Sequence, residues 1–197
     1  MFMKDFTHSL PAATLVETRP TATIAQPVLR GLVAGTLVET TQGWTPVQNL
    51  KIGDAVQTLD GGLARIHALD RRTLTPHADL SLILIPGGCL DACSDLVLVP
   101  GQHLLIDTLA DAPYALVPAA ALTIDPLVRP YDLQAPTEVI TMLFADEEVV
   151  FANSGVMIHC PGMMDGAGRY PDNSFFPRYD LQVARDFLRH RTVRLAA

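Results

Sequence analysis

The stretch Gly31-Leu32-Val33-Ala34-Gly35-Thr36-Leu37-Val38-Glu39-Thr40-Thr41-Gln42-Gly43-Trp44-Thr45-Pro46-Val47-Gln48-Asn49-Leu50-Lys51-Ile52-Gly53-Asp54-Ala55-Val56 decides the fold. Residues 36–40 alternate as a half-buried strand does, Thr41-Gln42-Gly43-Trp44 supplies a turn, and Gly53-Asp54 supplies a second before a strand at residues 55–59. Working outward, the same grammar repeats. Strands are expected at residues 64–71, 80–85, 96–98 and 103–106, and residues 115–122 read as a strand end running into a short helical turn. Residues 138–144 and 147–152 read as two further strands, joined as a hairpin through Ala145-Asp146. Short strands at this spacing favour a curled, mainly β body over βαβ units. One principal helix is predicted over residues 179–194, where Leu181, Ala184, Phe187, Leu188 and Leu195 recur at helical intervals.

With 197 residues the chain supports one core of ordinary size and no large second domain. It divides into an N-terminal arm at residues 1–28, rich in Thr, Ala and Pro, a main domain at 29–160, and a C-terminal extension at 161–197 that ends in the amphipathic helix. A net charge of −7 argues against a nucleic-acid groove, because phosphate binding depends on clustered Lys and Arg. The cluster Arg185, Arg189, Arg191 and Arg194 reads as a solvated helix face. No apolar run approaches the ~20 residues that span a bilayer, and the N-terminus lacks the layout of a cleaved secretory signal. The expectation is a chain that is cytoplasmic, or exported without a cleaved signal, with no membrane partner and an unidentified protein partner at most. Three cysteines suit free thiols better than a disulfide framework. Cys89 and Cys93 lack the paired spacing of a zinc site, so neither metal nor cofactor is expected.

Four blocks, in order, resemble the Hint (hedgehog/intein) family, whose members are self-processing domains. They are Gly35-Thr36 with Gly53-Asp54, the pair Arg71-Arg72, the run from Asp95 to Ile106, and Thr141-Met142-Leu143-Phe144 with Glu148-Val149-Val150-Phe151-Ala152-Asn153. The resemblance spans residues 31–155 and lies closest to compact bacterial Hint proteins. It implies a pseudo-twofold horseshoe of short curled strands. It also implies a reaction: attack of a side-chain thiol on the carbonyl just before it, an N-to-S acyl shift at the Arg30-Gly31 bond, and cleavage of the resulting thioester.

At the positions this resemblance assigns to chemistry, the chain departs from the family. The nucleophilic cysteine is Gly31, which has no side chain to attack with. In the third block the family carries Ser or Thr, Pro, any residue, then a His that protonates the leaving nitrogen. Ungapped, Val99 takes the hydroxyl position and Gln102 the histidine. Valine cannot donate a hydrogen bond, and glutamine donates one without transferring a proton. A one-residue shift would bring in His103, otherwise read as a partly exposed strand histidine. Thr141 and Glu147 stand where the family often has histidines. The expectation is a Hint-like protein that no longer cleaves itself and serves as a structural or binding module. The alternative is an active autoprotease using Cys89, Cys93 or Cys160 with His103. His159-Cys160 resembles the end of splicing inteins without the terminal Asn, Asn153-Ser154 reads as a turn, and Asp146-Glu147-Glu148 as a charged hairpin tip.

Overall fold

The computed structural model describes residues 29–60, 62–76, 81–108, 114–163 and 174–195, with side chains of the last helical turn (191–195) left out. The expectations for the arm at 1–28 and for Leu80, Arg191, Arg194 and Leu195 therefore lie outside the described side chains. The order is β1 (Leu32–Val33), β2 (Leu37–Thr40), β3 (Gly43–Pro46), β4 (Ala55–Gln57), β5 (Leu63–Arg65), β6 (Ala68–Leu74), β7 (Ser81–Ile85), β8 (Leu96–Leu98), β9 (His103–Asp107), β10 (Tyr114–Pro118), β11 (Arg129–Asp132), β12 (Thr137–Leu143), β13 (Glu148–Ala152), β14 (Val156–Cys160) and α1 (Leu181–Leu195). Short 3-10 turns cover Val47–Asn49 and Ala119–Ile124. The mainly β expectation holds, with one terminal helix.

The strands form two antiparallel sheets, β11-β7-β8-β1-β12-β6 and β10-β9-β14-β13-β2-β4-β5, with β3 added beside β2. Both contribute to one aliphatic core, in which Leu32, Val38, Val56, Ile85, Leu98, Leu104, Ile140, Val150 and Ile158 pack together. Successive side chains of a strand point to opposite faces, and in β7, β9 and β12 both faces are covered, so residues 82–85, 103–106 and 139–143 are buried as continuous runs. The helix docks through Ala184 and Leu188, while Leu181 and Val183 face solvent. Among the described residues no helix is long and apolar enough to cross a membrane.

Several local expectations are corrected. Gly43 to Pro46 is a strand paired with β2 rather than part of a turn, with Thr40 opposite Gly43 and Val38 opposite Thr45. The single strand expected at 64–71 is two strands in different sheets, β5 beside β4 and β6 beside β12. Ile66 is buried at the break, and its backbone closes bonds to Gly53 and Asp54. The hairpin through Ala145-Asp146 does not form. β12 pairs with β1 and β6, whereas β13 pairs with β14 and β2. The true hairpin is β13–β14, turned at Asn153 and Ser154, both at positive φ. Asparagine tolerates that conformation better than most residues. Here its side chain also accepts from Leu37 N (2.8 Å) and donates to Ser94 Oγ (3.1 Å) and Asp95 O (3.0 Å). The turn reading of Asn153 is thus correct, and the residue pins three segments together.

Arg71 of the second block has an equally local explanation. Its guanidinium grips both Glu138 carboxylate oxygens (3.1 and 3.2 Å) and donates to Gln48 O and Leu50 O (3.1 Å each). The planar fork suits this task, which a lysine could not reproduce. From β6 it fastens the segment at Gln48 and Leu50 to Glu138 of β12.

Candidate functional site

β1 is only two residues long, yet it is inserted between central strands, with Leu32 opposite Ile140 of β12 and opposite Leu98 of β8. This insertion carries the Arg30-Gly31 peptide into the interior. Its carbonyl oxygen accepts a hydrogen bond from Thr141 Oγ1 (3.1 Å), and its N–H donates to Gln102 Oε1 (2.9 Å). Thr141 comes from β12 and Gln102 from the turn after β8, so two separate segments hold one peptide group from opposite ends.

Gln102 is buried and its amide is fully engaged: besides accepting from Gly31, its Nε2 donates to His103 O (2.9 Å) and His159 O (2.8 Å). The network fixes the orientation of the amide. Flipping it would set NH₂ against the Gly31 N–H and a carbonyl oxygen against two carbonyl oxygens. What faces the Gly31 nitrogen is therefore an acceptor, the opposite polarity from a proton donor.

Gly31 itself sits at φ +121°, a conformation that L side chains rarely adopt. A Cβ built there would lie 2.8 Å from Thr141 Oγ1, 2.8 Å from Val139 Cγ1 and 3.0 Å from Ile140 O. The space a side chain would use is thus filled by β12. Val99 is fully buried in an apolar cluster with Val33, Leu82, Leu133 and Val139. The structure brings Gly31 and Gln102 into direct contact, places Val99 in core packing, and puts His103 beside them on β9.

His103 is buried, not partly exposed, because β9 lies inside the second sheet between β10 and β14. Burial, reinforced by the charges of Arg178 and Arg30 and by His159, lowers its pKa to about 3, so it is neutral at neutral pH. Among the described residues its buried Nδ1 has no well-formed hydrogen bond. The His159 ring stands 6.5 Å away, edge to face. His159 Nε2 lies 3.0 Å from Glu147 Oε2. Burial pulls the His159 pKa down and outweighs the opposing pull of Glu147. For Glu147, burial pushes up, but hydrogen bonds from His159, Phe175 N and Ser174 Oγ together hold it below the ordinary carboxylate range. The pair is best described as a neutral imidazole donating to a carboxylate.

In the sequence Glu147 reads as a substituted family position and part of a charged hairpin tip, and His159 enters only through the likeness of His159-Cys160 to an intein end. The signal that joins them is register. Once the hairpin turns at Asn153-Ser154, Val149 falls opposite His159, and Glu147 is the diagonal neighbour on the same face. Thr141, also named only as a substitution, proves to be the donor on the Arg30 carbonyl. Arg30, Glu147, His159, Ser174 and Arg178 line a cavity of about 430 Å³ next to the held peptide.

The thiols are dispersed. Cys93 is exposed, Cys89 half-buried and Cys160 buried. Among the described residues none hydrogen-bonds an imidazole. Burial, with a smaller contribution from Glu148, raises Cys160 far above the ordinary thiol range, which suppresses the nucleophilic thiolate. All three thiols are expected to alkylate after denaturation without reduction, with Cys93 reacting first in the native protein. A Cys89 or Cys93 freed only by reductant or chelator would overturn this.

Residues 30–157 match the family profile described as Hint domain. Among solved structures the chain is similar to a bacterial intein-like domain from Clostridium thermocellum, at 17% identity and a TM-score of 0.50, covering 66% of this chain and 99% of that one. It is also similar to the gp41-1 intein, at 13% identity and a TM-score of 0.42, covering 66% and 97%. At these identities the likeness concerns the fold. No curated protein matches the chain.

Proposed function

Because this chain belongs to the Hint domain family, whose general reaction is self-splicing or self-cleavage, we propose that it seats the Arg30-Gly31 peptide at the family's reacting position but does not cut it, and works as a structural or binding module. The observation that carries this reading is Gly31. It has no nucleophile, and Val139 and Thr141 occupy the room one would need. The two hydrogen bonds on the peptide add support. A donor on its oxygen and an acceptor on its N–H both favour the resonance form with double-bond character in C–N, which stabilises the amide rather than preparing it to leave. Neutral His103 and neutral His159 likewise offer no strong acid near neutral pH.

The test is intact mass. Incubated with dithiothreitol or hydroxylamine near neutral pH, the wild-type chain is expected to stay at its full 21.3 kDa. Release of residues 1–30, with a new N-terminus at Gly31, would establish the autoprotease reading instead.

A further inference from the structure

Beside the first cavity, sharing Glu147 and Phe175 with it, lies a second, of about 500 Å³, a volume in the range of small-ligand sites. Its floor is Val149 of β13 with Leu59 beside it, and these continue into a small apolar cluster with Leu105 and Leu116. Three aromatic rings enclose it. Phe176 stands nearly perpendicular to Tyr114 (86°, centroids 6.3 Å) and to Phe175 (87°, 5.0 Å), so the rings meet at corners rather than stacking flat. Phe175 is 86% exposed, although Glu147 fixes its backbone by accepting from its N–H. With Leu59, Tyr114, Val149 and Phe176 it makes a contiguous apolar wall that a ligand would cover.

The polar lining has a single sign. Asp60 and Glu148 join Glu147 at the cavity, and among the described lining residues there is no Lys, Arg or His. Glu147 is already committed to His159, Ser174 and Phe175. Asp60 accepts from Thr58 Oγ1 and Gly62 N, which keeps its carboxylate charged and in place. Glu148 has no hydrogen-bond or ion-pair partner among the described residues. Burial, then the neighbouring carboxylates of Asp60 and Asp146, push its pKa up. A group strained by like charges is relieved by a cation.

Aromatic rings attract cations through their negative faces, and carboxylates at the rim add Coulombic attraction. We propose that this cavity binds an alkylammonium group, with Tyr114, Phe175 and Phe176 as its aromatic walls and Asp60 and Glu148 as its counter-charges. The neighbouring cavity shares Glu147 and Phe175 with this one but is also lined by Arg30 and Arg178, which disfavour a cation there. The site is independent of whether the Arg30-Gly31 bond is cleaved.

Calorimetric titration of the full chain tests it, using choline and its neutral carbon isostere, in which a tert-butyl group replaces trimethylammonium. Choline is expected to bind at least ~10-fold more tightly than the isostere, since only the charge differs. Glu148→Gln and Phe175→Ala are each expected to weaken choline roughly 5-fold or more. Phe175 is exposed and Glu148 unpaired, so both variants should keep the fold, to be checked by circular dichroism. A blocked trimethyl-lysine amide distinguishes the source: tighter binding than choline assigns the group to a protein side chain, weaker binding to a small molecule. Equal affinity for the isostere, no loss in either variant, or no binding of choline below a Kd of about 50 mM would overturn the proposal.

Discussion

Gly31→Ala is expected to destabilise the folded chain by about 3 kcal/mol, the combined effect of a non-glycine residue at positive φ and of an overpacked contact. The second effect is specific to this site, since the new Cβ would press on Thr141 Oγ1 and Val139 Cγ1 at 2.8 Å each. For a chain of this size such a loss corresponds to a Tm lower by roughly 6–12 °C. Urea unfolding of wild type, Gly31→Ala, Val139→Ala and the double variant gives a thermodynamic cycle. Val139 is 1% exposed, so Val139→Ala alone should also destabilise. In the double variant the two methyl-sized changes partly compensate, and the cycle should show a coupling of about 1 kcal/mol. The φ contribution remains, so recovery is incomplete. A Gly31→Ala variant within ~0.5 kcal/mol of wild type would mean that the tight seat described for Gly31 does not exist.

That seat gives Gly31 a structural role in the fold. Gln102 has one as well. It makes three buried hydrogen bonds, to Gly31 N, His103 O and His159 O, that tie β1, β9 and β14 together. Val99 likewise fills a cluster with Val33 and Val139 where a hydroxyl would need a partner.

The parts of this arrangement that were legible in the sequence are those with local causes. The alternation at residues 36–40, the turns at Gly53-Asp54 and Asn153-Ser154, and the terminal helix each depend on a few neighbouring residues, and each was placed correctly. β1 was missed because two residues carry no period; they are a strand only because β8 and β12 flank them. The expected hairpin at Ala145-Asp146 failed for a related reason. β12 and β13 are adjacent in sequence, but β12 is claimed by β6 through seven register pairs, from Thr137↔Leu74 to Leu143↔Ala68. Local turn chemistry cannot outweigh a ladder of that length. The site divides in the same way. The departures expected at Gly31, Val99 and Gln102 rest on the family pattern alone, whereas Thr141 on the Arg30 carbonyl joins segments 111 residues apart, and Glu147 on His159 depends on the register of the β13–β14 hairpin.

If Gly31, Val99 and Gln102 occupy the family's nucleophile, hydroxyl and histidine positions, restoring those groups should produce a large functional change. Gly31→Cys alone is expected to give little cleavage, because the leaving nitrogen must still be protonated and a placed general acid is typically worth about 10²- to 10⁴-fold. Gly31→Cys, Val99→Ser and Gln102→His together should give cleavage with dithiothreitol, read by mass spectrometry as loss of residues 1–30. The contacts around Gly31 add a condition, since the cysteine Cβ meets the same obstruction as that of alanine. A fourth change, Val139→Ala, removes one of the two side-chain contacts at 2.8 Å, and the quadruple variant should cleave faster than the triple even though it is less stable. The changes act on one bond, so their combined effect should exceed the product of the separate ones. Gln102→His gives up donor bonds to two buried carbonyls, which limits the rate regained. A folded quadruple variant no faster than the triple would show that the filled space at Gly31 is not what blocks the reaction. Cleavage by the wild type, abolished in His103→Ala, would show that the chain runs its chemistry through the neighbouring imidazole, and that Gln102 is only its support.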